Sequence, residues 1–221
     1  MRSTSDQTEP STERRRGRPR RAPADAEAHR RLMRSGLVHL TETGYSAIAI
    51  DEILRHAGVP KGSFYHYFRT KQAFGAALIE AYHGYFVERL DRSLLDPTLG
   101  PLDRLRHFTK KAEEGMARHD FRRGCLVGNL GQEMGTLPEA YRARLIAIFE
   151  DWQARTTRCL EEARAAGEIA PHHDPAALAT YFWIGWEGAV LRAKLERRAE
   201  PLRLFADLFF RHLATREARD G

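Results

Sequence analysis

Little in this 221-residue chain invites a metal or a redox centre. It has only two cysteines, Cys125 and Cys159, whose separation matches no zinc-binding spacing and cannot build a disulfide framework. A reducing compartment suits them. No run of about eighteen apolar residues occurs, which excludes a membrane-spanning helix. The opening MRSTSDQTEPSTERRRGRPRRAP lacks the apolar middle of a secretory signal, so a cytoplasmic protein with no membrane partner is expected. Period-two alternation of useful length is missing, and so is any internal repeat, so neither a sheet nor a solenoid is predicted. The enzymatic alternative makes Cys125 a nucleophile activated by His119 or another histidine. It lacks an orienting third group and an oxyanion motif, so no catalytic residues, no cofactor and no metal are expected.

What the chain has is positive charge at one end. The net charge is +6, and residues 1–72 hold 14 Lys/Arg against 8 Asp/Glu, while the rest holds 22 of each. The whole excess therefore sits in the N-terminal third, which points to a polyanion, with nucleic acid foremost. Within residues 1–23, read as a disordered arm, RRRGRPRR (Arg14 to Arg21) places Arg16, Arg18 and Arg20 around Gly17 and Pro19. This segment resembles an AT-hook, an extended Arg-Gly-Arg-Pro unit lying in a narrow minor groove where arginine meets strongly negative potential. A phosphate-binding tail without base preference is the alternative.

From about Ala24 the pattern is helical. Leu32, Gly36, Leu37 and Leu40 recur at three- and four-residue steps until Gly44. A short helix follows, with Ile50, Ile53, Leu54 and Ala57 inward and Gly58 as its stop. A third helix lies within GVPKGSFYHYF, and a long one runs from about Thr70 to Asp91. DPTLGP, Asp96 to Pro101, is the clearest break in the chain. Beyond it helices are predicted near 101–118, 124–134, 138–166, 175–196 and 200–215, punctuated by Pro138, Gly167, Pro171, Pro175 and Pro201. The expectation is an all-α protein of about nine helices. Residues 24–72 form a three-helix DNA-reading head, and residues 73–221 form a larger ligand-binding and dimerisation body.

Ile50 to Phe68 has the layout of two short helices joined at HAGVPKG, where Gly58 can adopt a left-handed conformation and Val59 can plug the angle between them. At roughly 100° per residue, Phe64 and Phe68 share an inward face and His66 lies nearly opposite. Tyr65 and Tyr67 flank the outer face, with Gly62 and Ser63 at its N-terminal end. GVPKGSFYHYFRTKQAF then resembles the recognition-helix signature of the TetR family of one-component transcriptional regulators. GYSAIAIDEILRHA resembles the family's end of helix one and its helix two. The resemblance implies that Lys61, Gly62, Ser63 and Tyr65 approach bases or the adjacent backbone. It implies that Tyr67 and Lys71 hold phosphates and that His66 also faces the duplex. Tyrosine donates to phosphate without adding charge, whereas Lys71 would add a neutralised phosphate and a steeper salt dependence. One departure is visible: where the family often caps helix two with Ser or Thr, this chain has Ile48, Ala49 and Ile50, with only Ser46 nearby.

The same resemblance implies a homodimer whose last two long helices form a four-helix interface. Leu178, Phe182, Gly185, Trp186, Ala189 and Leu195 trace an apolar band, and Leu204, Phe205, Leu208, Phe209 and Leu213 repeat it in the final helix. Gly185 and Gly188 are expected to allow close helix approach. HDFRRGCLVGNLGQEMG, His119 to Gly135, mixes a thiol, an amide and a carboxylate in apolar context, which suits a pocket wall. It resembles a TetR branch with an Arg/Lys-Gly-Cys-Leu start to the sixth helix, a branch that includes electrophile-responsive and acrylate-responsive repressors. Cys125 is expected at a helix N-terminus after Arg122 and Arg123, which would favour its thiolate and allow addition to an electrophilic alkene. The alternative is a small buried residue that never bonds the ligand. Arg118, His119, Arg192 and Lys194 are candidate cations for a carboxylate effector, and Tyr82, Trp183 and Trp186 are candidate walls. Asn129, Gln132, Glu133 and Glu187 are polar groups of which one or two should face a cavity. The function these features favour is a repressor that binds a pseudopalindromic double-stranded operator and is released by a small effector, with acrylate or a related electrophilic carboxylate or thioester as the candidate. An architectural DNA binder without a ligand is the runner-up.

Overall fold

A computed structural model describes residues 23–213, with side chains from residue 26, so Arg16, Arg18 and Arg20 lie outside the described residues. Nine helices and no strand occur among them. They are α1 (Pro23–Glu42), α2 (Ile50–Ala57), α3 (Lys61–Tyr67), α4 (Lys71–Leu94), α5 (Pro101–Ala117), α6 (Leu126–Gln132), α7 (Glu139–Ala165), α8 (Pro175–Glu196) and α9 (Glu200–Leu213). No helix among the described residues is long and apolar enough to cross a membrane.

The helix ends follow local chemistry. Gly58 takes φ 61° and ψ 41°, the left-handed geometry that a Cβ disfavours, and its N–H and that of Val59 donate to the Arg55 and Leu54 carbonyls. This closes α2 and turns the chain into α3. Thr70 Oγ1 accepts the Ala73 N–H at 3.0 Å to start α4, and Asp174 accepts the Ala176 N–H at 3.0 Å ahead of Pro175 to start α8. The residue before α2 is Ala49, which gives no side-chain cap; Asp51 and Glu52 in the first turn face the positive helix end instead. The missing Ser/Thr cap read from the sequence is thus a real feature of this head.

α1, α2 and α3 enclose Leu32, Leu40, Ile53, Leu54 and Phe64, and Phe74 and Leu78 of α4 close the bundle from the body side. α3 ends at Tyr67. Phe68 leaves the helix at φ −132° and ψ 115° yet stays buried, its ring 4.8 Å from that of Phe74. In the body, α7 packs on α8 and α8 on α9 around Phe86, Phe108, Trp152, Phe182 and Trp183, with the Phe86 and Trp152 rings 4.2 Å apart. Each fully buried ring contributes roughly 1.5–3 kcal/mol of transfer free energy. Gly185 lies directly under the Phe205 ring, so α8 and α9 approach closely there as expected; Gly188 faces open space.

Candidate DNA interface and interior cavity

The outer face of α3 is built from the residues the helical angles selected. Lys61, Gly62, Tyr65 and His66 are exposed, Tyr65 by 54%, while Ser63 and Tyr67 are half-buried. A Cβ at Gly62 would meet nothing within 4 Å, so the start of α3 can come close to another surface. Tyr67 is less free than the helical wheel suggests: its ring stands edge-on to His29 of α1 at 5.3 Å, because α1 covers that flank of α3. Lys61 Nζ pairs with Asp51 of α2 at 2.9 Å across the turn.

Lys71 departs from a free phosphate-binding cation. Its ammonium donates to the Ile48 carbonyl at 2.7 Å and sits 4.5 Å over the Tyr45 ring, and partial burial holds its pKa below the usual lysine value. In this conformation it ties α4 to the start of α2.

Behind the head, α1, α4, α5, α8 and the segment before α6 surround a cavity of about 780 Å³ that opens to solvent at its outer end, where Arg34, Arg92, Arg118 and His119 are exposed. Its inner end is lined by Tyr82, Phe86, Phe108, Cys125, Trp186 and Glu187. Cys125 caps α6: its Sγ accepts the Gly128 N–H at 3.4 Å. The groups that act on this thiol are the Glu187 carboxyl, the Tyr82 hydroxyl and that N–H. Burial, followed by the negative charge of Glu187, pushes the Cys125 thiol well above its ordinary value. Both effects oppose the thiolate that the helix position and the neighbouring arginines would favour, and agree with the alternative of a small buried residue. Desolvation outweighs a seven-residue helix, and Arg123, expected to help, instead pairs with Glu42 at 3.0 Å. Burial also raises Glu187 to about 7, so near neutrality the carboxyl is held substantially as the acid. The Glu187 carboxyl occupies the space over Gly128 that any side chain there would fill.

Of the candidate ligand residues, Arg118, His119, Cys125, Trp186 and Glu187 line this cavity. Asn129, Glu133 and Trp183 do not. Trp183 belongs to the core, 1% exposed, with Nε1 donating to Thr156 Oγ1 at 3.0 Å. Asn129 and Glu133 are one turn apart on the face of α6 turned to the head. Asn129 Nδ2 donates to the Leu40 and Thr41 carbonyls at 3.0 and 3.1 Å, satisfying the end of α1. The Glu133 carboxylate accepts the Tyr45 and Ser46 N–H groups at 2.9 and 2.7 Å. Lys194 also serves that junction, donating to the Thr41 carbonyl at 3.0 Å, while Arg192 pairs with Glu196. Gln132 is exposed.

Sequence reasoning missed Arg34, Arg89 and Arg92, which line the outer part of the cavity. The three-residue step from Arg89 to Arg92 puts both on one side of α4, but it does not say which helix that side faces.

Two family models match the chain: "Bacterial regulatory proteins, tetR family" over residues 33–78 and "Tetracyclin repressor-like, C-terminal domain" over residues 101–209. The chain is 63% identical to the transcriptional regulator AcuR of Cereibacter sphaeroides over 202 residues, covering 91% of this chain and 92% of that one. It belongs to the TetR family. It is 34% identical to the transcriptional repressor DhaR of a Mycobacterium species, covering 82% of this chain and 90% of that one. The crystal structure of a TetR regulatory protein from Rhodobacter sphaeroides superposes with a TM-score of 0.84 at 63% identity, covering 85% of this chain and 99% of that one. Family membership identifies the chain as a TetR-type transcriptional regulator with an N-terminal helix-turn-helix.

Proposed function

We propose that this protein is an effector-released repressor. Two heads of a homodimer bind the half-sites of a pseudopalindrome through Lys61, Gly62, Ser63, Tyr65, His66 and Tyr67, with Lys71 reaching a phosphate when it leaves Ile48. Arg16, Arg18 and Arg20 add minor-groove or phosphate contacts. The effector is a small carboxylate such as acrylate, or its thioester, whose carbonyl end meets Cys125 and Glu187.

The observation that carries this reading is the position of α6. Its N-cap, Cys125, is cavity wall, and its C-cap, Glu133, holds the α1–α2 turn of the head. A ligand that displaces Cys125 or Gly128 therefore moves Asn129 and Glu133 with it, and coupling follows from any difference in ligand affinity between the two head positions. The homodimer is supported by Tyr181, Ile184, Leu191 and Leu195 on α8 and Leu204 and Leu208 on α9. These side chains are 42% to 73% exposed and lie at helical spacing.

Gel retardation of the DNA upstream of the protein's own gene tests the reading. The dimer should retard the fragment and release it on addition of acrylate or an acryloyl thioester. Retardation unaffected by every short-chain acid, enal and thioester offered sinks the effector part.

A further inference from the structure

We propose that the outer half of the cavity is a phosphate-binding subsite, and that the effector which fills the whole cavity is an acyl thioester of a phosphorylated carrier. This rests on the effector reading above and specifies the ligand class.

Size is the first argument. A three-carbon acid occupies on the order of 100 Å³, about three times the roughly 30 Å³ share of a water. The cavity measures about 780 Å³, within the range that holds ligands of many more atoms. A small acid can occupy the inner end and leaves most of the space unused.

Charge is the second. The outer half is lined by Arg34 of α1, Arg89 and Arg92 of α4, and Arg118 after α5. Arg34, Arg92 and Arg118 make no ion pair among the described residues. Arg89 is bound only to neutral oxygens, the Tyr85 hydroxyl at 2.9 Å and the Lys111 carbonyl at 3.2 Å. Lys111, also at the mouth, has its charge matched by Glu114 at 2.9 Å. Asp96 is the acidic residue lining this half. Arg34, Arg92 and Arg118 are exposed, with Glu27 near Arg34 and Glu114 near Arg118, and together with Arg89 they give the mouth a positive rim that an anion can approach.

Geometry is the third argument. Nη2 of Arg89 and Nη2 of Arg118 come within 3.5 and 3.6 Å of the point where a Cβ would stand on Gly115. Two guanidinium groups from different elements thus converge over the one residue of α5 that has no side chain to block them. Guanidinium forks bind phosphate oxygens in a bidentate manner, and several around one space suit a phosphate ester better than a single carboxylate. The inner end supplies the complement, aromatic walls with a thiol and a carboxyl for a short acyl carbonyl. Arg34 is on the head side and Arg89, Arg92 and Arg118 are on the body side, so a bridging phosphate would draw α1 toward α4. That adds a route from ligand to head besides α6.

Calorimetry on the full-length protein without DNA tests this with four probes: propionyl-coenzyme A, the propionyl thioester of N-acetylcysteamine, free coenzyme A, and acetyl phosphate. The saturated propionyl group removes any covalent contribution. Propionyl-coenzyme A should bind at least tenfold more tightly than the phosphate-free thioester, with an affinity that falls steeply with salt. Free coenzyme A should bind measurably, and acetyl phosphate should bind weakly if at all. Gly115→Asp, which places a carboxylate between Arg89 and Arg118, and the triple variant Arg34→Ala/Arg92→Ala/Arg118→Ala should each bring the two thioesters to similar affinity. Circular dichroism should confirm that both variants are folded. Equal affinity of the two thioesters for the unsubstituted protein overturns the subsite, as does tighter binding of acetyl phosphate than of propionyl-coenzyme A. Gel retardation is read separately. Release by acrylate with no preference for the coenzyme A thioester leaves the repressor standing and removes the subsite. Tight salt-sensitive thioester binding without release keeps the subsite and removes the repressor mechanism.

Discussion

The Glu133 carboxylate holds the head at the Tyr45 and Ser46 N–H groups, 88 and 87 residues away in sequence. One side chain thus satisfies two main-chain donors at the α1–α2 turn, with charge-assisted bonds. Glu133→Ala leaves both donors without this acceptor and should cost about 1–3 kcal/mol in urea unfolding. The same variant should lose most of its coupling: effector still binds by calorimetry, but the ratio of DNA affinities without and with effector shrinks toward one. Unaltered coupling would show that α6 does not transmit the signal.

Glu187 gives stability a pH dependence. The folded protein holds this proton to about 7, against an ordinary value of 4.5, because burial disfavours the charge. Its contribution is therefore complete below about pH 4.5 and falls as pH rises through about 7, by on the order of 3 kcal/mol in all. Glu187→Gln should flatten the dependence of unfolding free energy on pH across that window and be the more stable form at pH 8. A parallel pair of curves contradicts the assignment.

Cys125 should be a slow nucleophile. With its thiol held well above the ordinary value by burial and by Glu187, alkylation by iodoacetamide at pH 7 should run at least tenfold slower than for free cysteine. Glu187→Gln should raise the rate. Mass spectrometry of the modified peptide gives both rates directly, and alkylation as fast as free cysteine would restore a thiolate.

Asp51 competes with DNA for Lys61, which it meets at 2.9 Å on the exposed face of the head. Asp51→Asn frees the ammonium and removes a negative charge from that face. Operator affinity should rise roughly two- to fivefold, and log affinity should fall more steeply with log salt. A fall in affinity would mean the pair positions α3 for binding.

Ile184 and Leu195, 69% and 73% exposed, belong to the face proposed to join two copies. Ile184→Asp/Leu195→Asp should halve the mass seen by light scattering at micromolar concentration while leaving helix content unchanged. The monomer should bind the operator at least tenfold more weakly, since it offers one head to two half-sites.

The fold was largely legible because its signals are local. Gly58, Pro101, Pro138 and Pro175 mark ends that the chain cannot avoid, and the predicted 175–196 helix matches α8 residue for residue. The outward residues of α3 were legible for the same reason, since helical angle fixes them. The cavity was legible only in part. Cys125, Trp186 and Glu187 stand out as polar or bulky groups in apolar helices, but Asn129 and Glu133 carry the same signature and face the opposite way. Which way α6 turns depends on the carbonyls at the end of α1, about ninety residues earlier, and no local pattern records that pairing. Cys125 misled for a related reason: its neighbours in sequence are arginines, whereas its neighbours in space are Glu187 and Tyr82.

The polar contacts between head and body go mostly to main chain. Asn129 reads the Leu40 and Thr41 carbonyls, Lys194 and the Gly124 N–H read the Thr41 carbonyl, and Glu133 reads two backbone N–H groups; side chains meet side chains at Arg123–Glu42, at Ser46–Thr136, at the Tyr45–Tyr141 ring pair and where Phe74 packs on Phe64 and Phe68. Carbonyls and amides are the same whatever side chain they carry. The polar grip on the head is therefore indifferent to most of the head's sequence, and the exposed face of α3 can acquire a new operator vocabulary without the body having to learn it.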